Sequence, residues 1–573
     1  MQLARYLKPY VWSVAAALIC TLLRALGELY LPTLMSDIVD NGIVNGDTAY
    51  ILKIGGVMLL VTAVVGVVGI LGGYFSSRVA AGFGRDLRSQ IFRKVEGFSL
   101  HEFDQFGTAT LITRTTNDVM QVQQVIIIML RMMSFAPLMF VGSLILALAK
   151  DPPLSLVVLA VIPILVATIA SVGFRVVPLF KRMQRLVDRL NLVVREGLTG
   201  IRVIRAFNRT EHEKERFRGA NTDLMQNAIR VNQIMAAMMP AVQLVMNLGT
   251  VAVLWFGGVR VDQGLIEVGD LMAFLQYVMH ILFSLVVFSM MFVMLPRAAA
   301  SAERIQEVLA VEPRITDPEK PAQPVARGTV EFRNVTFRYP GAAEPALSGV
   351  SFIARPGEVT AIVGSTGSGK STLVNLIPRF YDVEEGAVLV DGVDVRSMSQ
   401  EALRVRIGYV PQAALLFSGS VAENIRYGKE DASDQEIEHA LETAQAASFV
   451  SQMPQGIHSE IAQGGTNVSG GQKQRLTIAR ALVRRPEIYI FDDNFSALDF
   501  KTESKLRRAL LRETTNATVF IVAQRVSTVL NADRIIVLDE GKVAGIGTHE
   551  ELLRTCSVYQ EIVASQLRGE VPA

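Results

Sequence analysis

Cysteine is nearly absent, with two residues in 573: Cys20 inside an apolar run and Cys556 near the C-terminus. That excludes a disulfide framework and a cysteine-ligated metal cluster. An excess of one charge is also missing, since 56 Lys and Arg stand against 54 Asp and Glu for a net +2. So balanced a chain has no field to hold a strongly polyanionic partner, and no nucleic acid is expected. Behind the N-terminal MQLARYLKPY there is no small-residue cleavage site. The first apolar segment is therefore expected to stay as an anchor rather than leave as a signal peptide.

What the chain has in quantity is apolar sequence. Half of it is hydrophobic, and the mean hydropathy is +0.34, high for a soluble protein. The length is too great for one core, so several domains are expected. The average hides two regimes. Up to about Pro296 long apolar runs alternate with basic segments; beyond it the sequence reads as soluble. Six runs, near 11–36, 51–76, 125–149, 153–175, 236–258 and 268–295, reach the roughly 20 residues that a bilayer requires. Segments 37–53, 150–153 and 257–267 carry few Lys or Arg, whereas 78–114 and 175–230 are dense in them. Basic loops stay on the cytoplasmic side, which places both termini there, in a multi-pass protein of the cell (inner) membrane.

Each long inner loop contains a break. One is FSLHEFDQFGTATLITRTTNDV, punctuated at Gly107; the other is GLTGIRVIRAFNRTEHEKERF, after Gly197 and Gly200. Either a short surface helix docks there on a soluble domain, or a basic loop lies against anionic lipid. The stretch 297–328 reads as a polar, proline-bearing linker without apolar periodicity. The expected divisions are 1–300, a membrane domain; 301–327, a linker; and 328–573, a soluble domain opening on the alternating strand TVEFRNVTFRYP.

The soluble part is organised around AIVGSTGSGKST, which reads GxxxxGKS from Gly364 to Ser371. A buried strand ending in VTAIVG precedes it, and STLVNLIPRF follows with helical spacing. Gly364, Gly367 and Gly369 let the N–H groups of Ser365, Thr366, Ser368 and their neighbours curl around an anion at a helix N-terminus. Lys370 is placed for the β- and γ-phosphates, and Ser371, followed by Thr372, for Mg2+. The pattern implies a bound nucleoside triphosphate. Asp492 closes the apolar run IYIF, as a strand-end carboxylate that holds Mg2+ through water. Between the two lies NVSGGQKQR, where Ser469, Gly470 and Gly471 open a second helix at an anion-binding end. Two chains facing head to tail would let each lend that loop to the other's nucleotide.

SGGQ, Ser469–Gln472, lying between the phosphate loop and the strand-end Asp, resembles the signature loop of the ATP-binding-cassette family. Six spans with long inner loops ahead of it resemble that family's exporter half-transporters, and the likeness covers essentially the whole chain. It implies a six-helix all-α membrane domain with long cytoplasmic helix extensions, followed by an α/β P-loop nucleotide-binding domain using ATP and Mg2+. By that resemblance Tyr339 stacks on adenine, and Gln412 is the Q-loop residue that touches Mg2+. Ser496, Ala497, Leu498 and Asp499 form the D-loop at a dimer interface, and the two inner-loop breaks correspond to coupling helices.

Two departures stand out. Where family members that hydrolyse well have Glu after the strand-end Asp, this chain has Asp493, whose carboxylate sits back by roughly 1.5 Å. Where they have a switch His, this chain has Gln524, which donates a hydrogen bond but carries no charge or proton. With an intact signature loop, the set resembles the degenerate-site subunit of heterodimeric bacterial multidrug exporters. The function so implied is ATP-driven export of small amphipathic compounds, weak alone and active with a second half-transporter. A flippase for lipids or lipid-linked molecules and a nucleotide-gated regulatory subunit are the alternatives. Within the spans, Arg24 and Glu28 lie one turn apart and are expected to pair. Arg131 and His280 are isolated polar residues, and methionines cluster in spans three, five and six. Those methionines suit either packing and lipid contact or a surface that accepts varied apolar ligands.

Overall fold

The structure, a computed structural model, describes residues 2–323, 327–495 and 498–567. It divides into two compact units, one of Met1–Glu96 with Thr108–Val311 and one of Gly97–Gly107 with Glu312–Ala573.

Among the described residues, the first unit holds six helices long and apolar enough to cross a membrane: Arg5–Ile43, Thr48–Glu96, Thr108–Lys150, Pro152–Thr199, Thr210–Asp262 and Val268–Ala310. Such helices keep every backbone polar group paired in hydrocarbon. Large side chains such as Leu59 and Ile70 point outward, 75% and 74% exposed, a surface suited to lipid rather than water. Inward, Phe274, Tyr277 and Ile281 of the sixth helix pack with Leu154, Leu165 and Val253. The Tyr277 hydroxyl lies 2.8 Å from Thr33 Oγ1, tying the sixth helix to the first. As expected from their spacing, Arg24 Nε donates to Glu28 Oε1 at 2.9 Å.

The sixth helix runs to Ala310, further than the linker reading of 297–328 allows. Ala298, Ser301, Ile305 and Val308 are buried at helical spacing. Small and polar members among them mask the apolar stripe. On the buried Asp118 carboxylate, Ser301 and Arg304 converge, closing this part of the sixth helix on the third.

The two inner-loop breaks differ. Leu100–Phe106 is a helix with a Ser99–Glu102 capping box, and it packs as part of the second unit. Tyr381 donates to Asp104 Oδ2 at 3.1 Å, and the Arg314 amide reaches Glu102 Oε1 at 3.4 Å. Docking therefore describes this break better than a lipid-bound loop. The Ile201–Ala206 helix instead belongs to the first unit and buries none of its residues. Val203 and Phe207 are 61% and 74% exposed.

The second unit contains two main sheets. An antiparallel sheet orders Leu347–Ala354, Val330–Phe337, Glu385–Val390 and Val393–Asp394. A six-stranded sheet orders Lys542–Gly547, Arg534–Asp539, Val359–Gly364, Thr518–Val522, Ile488–Asp492 and Ile407–Val410. All its pairings are parallel except the first. Residues 347–363 thus supply a strand to each sheet. Unbroken apolar runs suit strands covered on both faces. Val522 pairs with both Ile362 and Asp492, so the Gly364 turn and Asp492 leave the same carboxyl edge of the sheet. Ligands bind at that edge in open α/β sheets.

Candidate functional site

The phosphate loop is built by sterics at two of its glycines and by backbone angle at the third. A Cβ on Gly364 would meet Leu538 O at 2.2 Å, and Gly369, at φ +95°, would drive one to 2.7 Å from Ala346 O. Only glycine passes the chain between those carbonyls. Gly367 answers to a different constraint. A Cβ there would meet nothing within 4 Å, and it is the φ of +87° alone that favours glycine. The helix that follows, Lys370–Leu376, is shorter than the spacing predicts. Pro378 has no N–H to extend it, and Arg379 turns to φ +53°. Lys370 Nζ donates to its own loop, to Gly364 O at 2.9 Å and Ser365 O at 2.7 Å. Among the described residues, Ser368 Oγ is buried with no hydrogen-bond partner. A lysine satisfied only by loop carbonyls, an orphaned hydroxyl and an open space over Gly367 fit a polyphosphate held by this loop.

Ser371 Oγ donates to Asp492 Oδ1 at 2.9 Å, which sets a hydroxyl and a carboxylate together where a hard divalent cation takes oxygen ligands. Asp493 follows with φ +49°, and its Oδ2 accepts from Gln524 Nε2 at 2.7 Å and Gln412 Nε2 at 3.4 Å. The structure thus brings together Lys370, Ser371, Asp492, Asp493, Gln412 and Gln524. Burial pushes both Asp492 and Asp493 above the usual carboxylate range, against the donors that favour their charge. Burial likewise pulls Lys370 below the usual lysine range, while the two carboxylates pull the other way.

Tyr339 stands next to this cluster, its hydroxyl 3.0 Å from Thr372 Oγ1 and its ring edge-on to Phe337. Sequence reasoning missed Asn494. It is fully buried, and its Nδ2 donates to Pro411 O at 2.7 Å, fastening the end of the Asp492 strand to the segment that carries Gln412. Its place directly after two acidic residues at a strand end is the only signal.

The signature loop lies apart. Among the described residues no hydrogen bond joins it to the phosphate loop. Ser469 caps the Gly470–Leu482 helix, accepting from Gln472 N at 3.3 Å while its own N–H donates to Gln472 Oε1 at 2.8 Å. The Ser469 backbone donor is engaged within the chain by Gln472. The Gly470 and Gly471 amides open the helix, where no intrahelical acceptor precedes them. Of the D-loop, Ser496 and Ala497 lie outside the described residues; Leu498 is buried, and Asp499 accepts from Thr502 N at 2.9 Å to cap Phe500–Glu513.

Two buried carboxylates cost stability until a cation joins them. Asp492→Asn is expected to raise the melting temperature of the nucleotide-free protein by a few degrees while removing Mg2+-dependent nucleotide binding. Thermal unfolding with and without Mg2+ and nucleotide checks both halves.

Comparison with known proteins matches residues 14–286 to the ABC transporter transmembrane region and residues 347–496 to the ABC transporter family. An uncharacterized ABC transporter ATP-binding protein of Mycobacterium tuberculosis is 46% identical over 98% of this chain and 97% of its own length. An ATP-dependent lipid A-core flippase of Chromobacterium violaceum is 33% identical over 99% of this chain and 97% of its own. The solved structure of a bacterial Atm1-family ABC exporter with ATP bound aligns at a TM-score of 0.80 and 27% identity, covering 98% of this chain and 99% of that one. Six spanning helices, a phosphate loop facing a strand-end aspartate and these full-length likenesses place the chain in the ABC transporter family, as a multi-pass exporter half-transporter with an ATPase domain.

Proposed function

We propose that this chain is one half of a heterodimeric exporter of amphipathic compounds, that its own ATP site hydrolyses slowly, and that its signature loop completes the partner's site. The observation that carries the reading is the clasp on Asp493, whose Oδ2 is held by Gln524 Nε2 at 2.7 Å. A general base must reach the attacking water. Here the shorter carboxylate turns back into the protein and spends an oxygen on a neutral amide. In this reading Lys370 and the loop amides orient the phosphates. Ser371, Asp492 and Gln412 hold Mg2+, which supplies charge neutralisation when bound. Tyr339 offers its ring to the base. The pump ends with the sixth helix at Ala310, and the motor is the unit that resumes at Glu312. The likeness to a lipid A-core flippase favours a second reading, in which the amphipathic cargo is a lipid.

Purification of the chain without a partner tests the assembly. Little ATP turnover is expected. Robust Mg2+-dependent turnover by the lone chain would overturn the reading.

A further inference from the structure

We propose that a cavity among the first three helices of the membrane unit binds the oxyanion head, phosphate monoester or carboxylate, of a membrane amphiphile. Arg24 of the first helix, Gly72 and Gly73 of the second and Arg131 and Phe135 of the third line it. Arg24 is tied to Glu28 through Nε alone and lies 4.7 Å over the Phe135 ring. Arg131 has no hydrogen-bond or carboxylate partner among the described residues. Two guanidiniums against one carboxylate leave the cavity a net positive charge inside apolar helices, where unpaired charge is costly and marks a ligand path.

The backbone is arranged to present Arg131. It sits in a π-helical stretch, Met129–Met133, a geometry frequent at functional sites. Its Nη2 lies where a Cβ on residue 73 would come within 2.9 Å, so Gly73 lets the Nη2 end of the guanidinium approach the second helix closely. The planar fork matches an oxyanion in bidentate fashion. Met132 and Met133, next in the chain, line an apolar cavity with Met291 and Met294. Adaptable thioether side chains there suit an alkyl tail, and the third helix lends residues to both cavities. A head held in the one and a tail in the other would select an amphiphile over a free anion. The inference rests on the amphipathic-cargo reading and narrows it to anionic cargo.

The test is nucleotide-free binding of dodecyl phosphate to the full-length chain in a neutral maltoside detergent, followed by native mass spectrometry. Arg131→Gln is expected to weaken binding by about tenfold or more, the value of a charge-assisted pair. Gly73→Ala, which keeps every charge but displaces the guanidinium, is expected to weaken it comparably. Binding of dodecanol stays unchanged in both variants, and inorganic phosphate does not compete. Retained ATP binding by each variant confirms that it is folded. Dodecyl phosphate affinity unchanged in both variants would overturn the site, and full displacement by inorganic phosphate would overturn the amphiphile. Because no ATP is turned over, failure here leaves the unequal-site reading standing, and the lone-chain ATPase result leaves this one standing.

Discussion

Ser469→Arg is expected to abolish ATP turnover in the assembled transporter, whereas Ser371→Ala reduces it only in part. The asymmetry follows from where each serine acts. Ser469 caps the Gly470–Leu482 helix, whose first amides are, in the proposed assembly, the donors offered to the partner's γ-phosphate. Loss of the cap alone costs about 1 kcal/mol, too little to stop an enzyme. The larger effect is an arginine side chain in front of those amides, filling the space that the transferring phosphate must occupy. Removing preorganised donors of this kind costs about a hundredfold to a thousandfold in rate, and blocking them costs more. Ser371 instead donates to Asp492 at 2.9 Å within the chain's own site, the slower one in the proposed reading. Its loss weakens Mg2+ and nucleotide there but leaves the partner's chemistry in place. Phosphate release by the complex, with nucleotide occupancy at each site, measures both. Equal and complete loss in the two variants would count against unequal sites.

How much of this is legible in the sequence depends on whether the physics is local. The spans are legible because an apolar run of that length with so few charges has few other uses. The strands Val359–Gly364 and Ile488–Asp492 are legible because burial on both faces forbids polar interruptions. So is the cap at Ser469, since serine followed three residues later by glutamine is a local device. Less legible is the extent of Val268–Ala310, whose last turns bury Ser301 and Ala298 rather than an apolar stripe. The glycines of the phosphate loop are legible as a set, but not that Gly364 and Gly369 avoid carbonyls while Gly367 faces open space. The attachment of Leu100–Phe106 to the second unit is invisible from its own sequence. It depends on Tyr381, 277 residues from its partner Asp104. The substitutions at 493 and 524 can be read from sequence one at a time; that they hydrogen-bond to each other cannot. The π-helical stretch around Arg131 has no compositional mark, and neither does the bare helix face at Gly73 that accommodates it.

That contact between Asp493 and Gln524 makes the second prediction a paired one. Asp493→Glu alone lengthens the carboxylate but leaves Gln524 in place to hold it, so a small gain is expected. Gln524→His alone removes the shorter of the two amide contacts on Asp493 but leaves its carboxylate roughly 1.5 Å short of the water. Together they remove the amide clasp, extend the base and restore a group able to carry a proton beside the γ-phosphate. A displacement of about 1 Å accounts for some hundredfold in rate, so hydrolysis at this site is expected to rise by tenfold to about a hundredfold in the double variant. The gain should exceed the product of the single gains, because each change relieves a constraint that limits the other. It should grow further if the partner's signature loop reads SGGQ, since the repaired base still needs complete γ-phosphate coordination. In the proposed reading, ATP held unhydrolysed at this site keeps part of the dimer closed between cycles. Hydrolysis there loosens that closure, and the repaired transporter is expected to move less cargo per ATP. Single-turnover hydrolysis, with the partner's site inactivated and trapped nucleotide counted site by site, measures the first effect. Transport per ATP in vesicles measures the second. No hydrolysis at the repaired site, even opposite an SGGQ loop, would place its weakness outside Asp493 and Gln524.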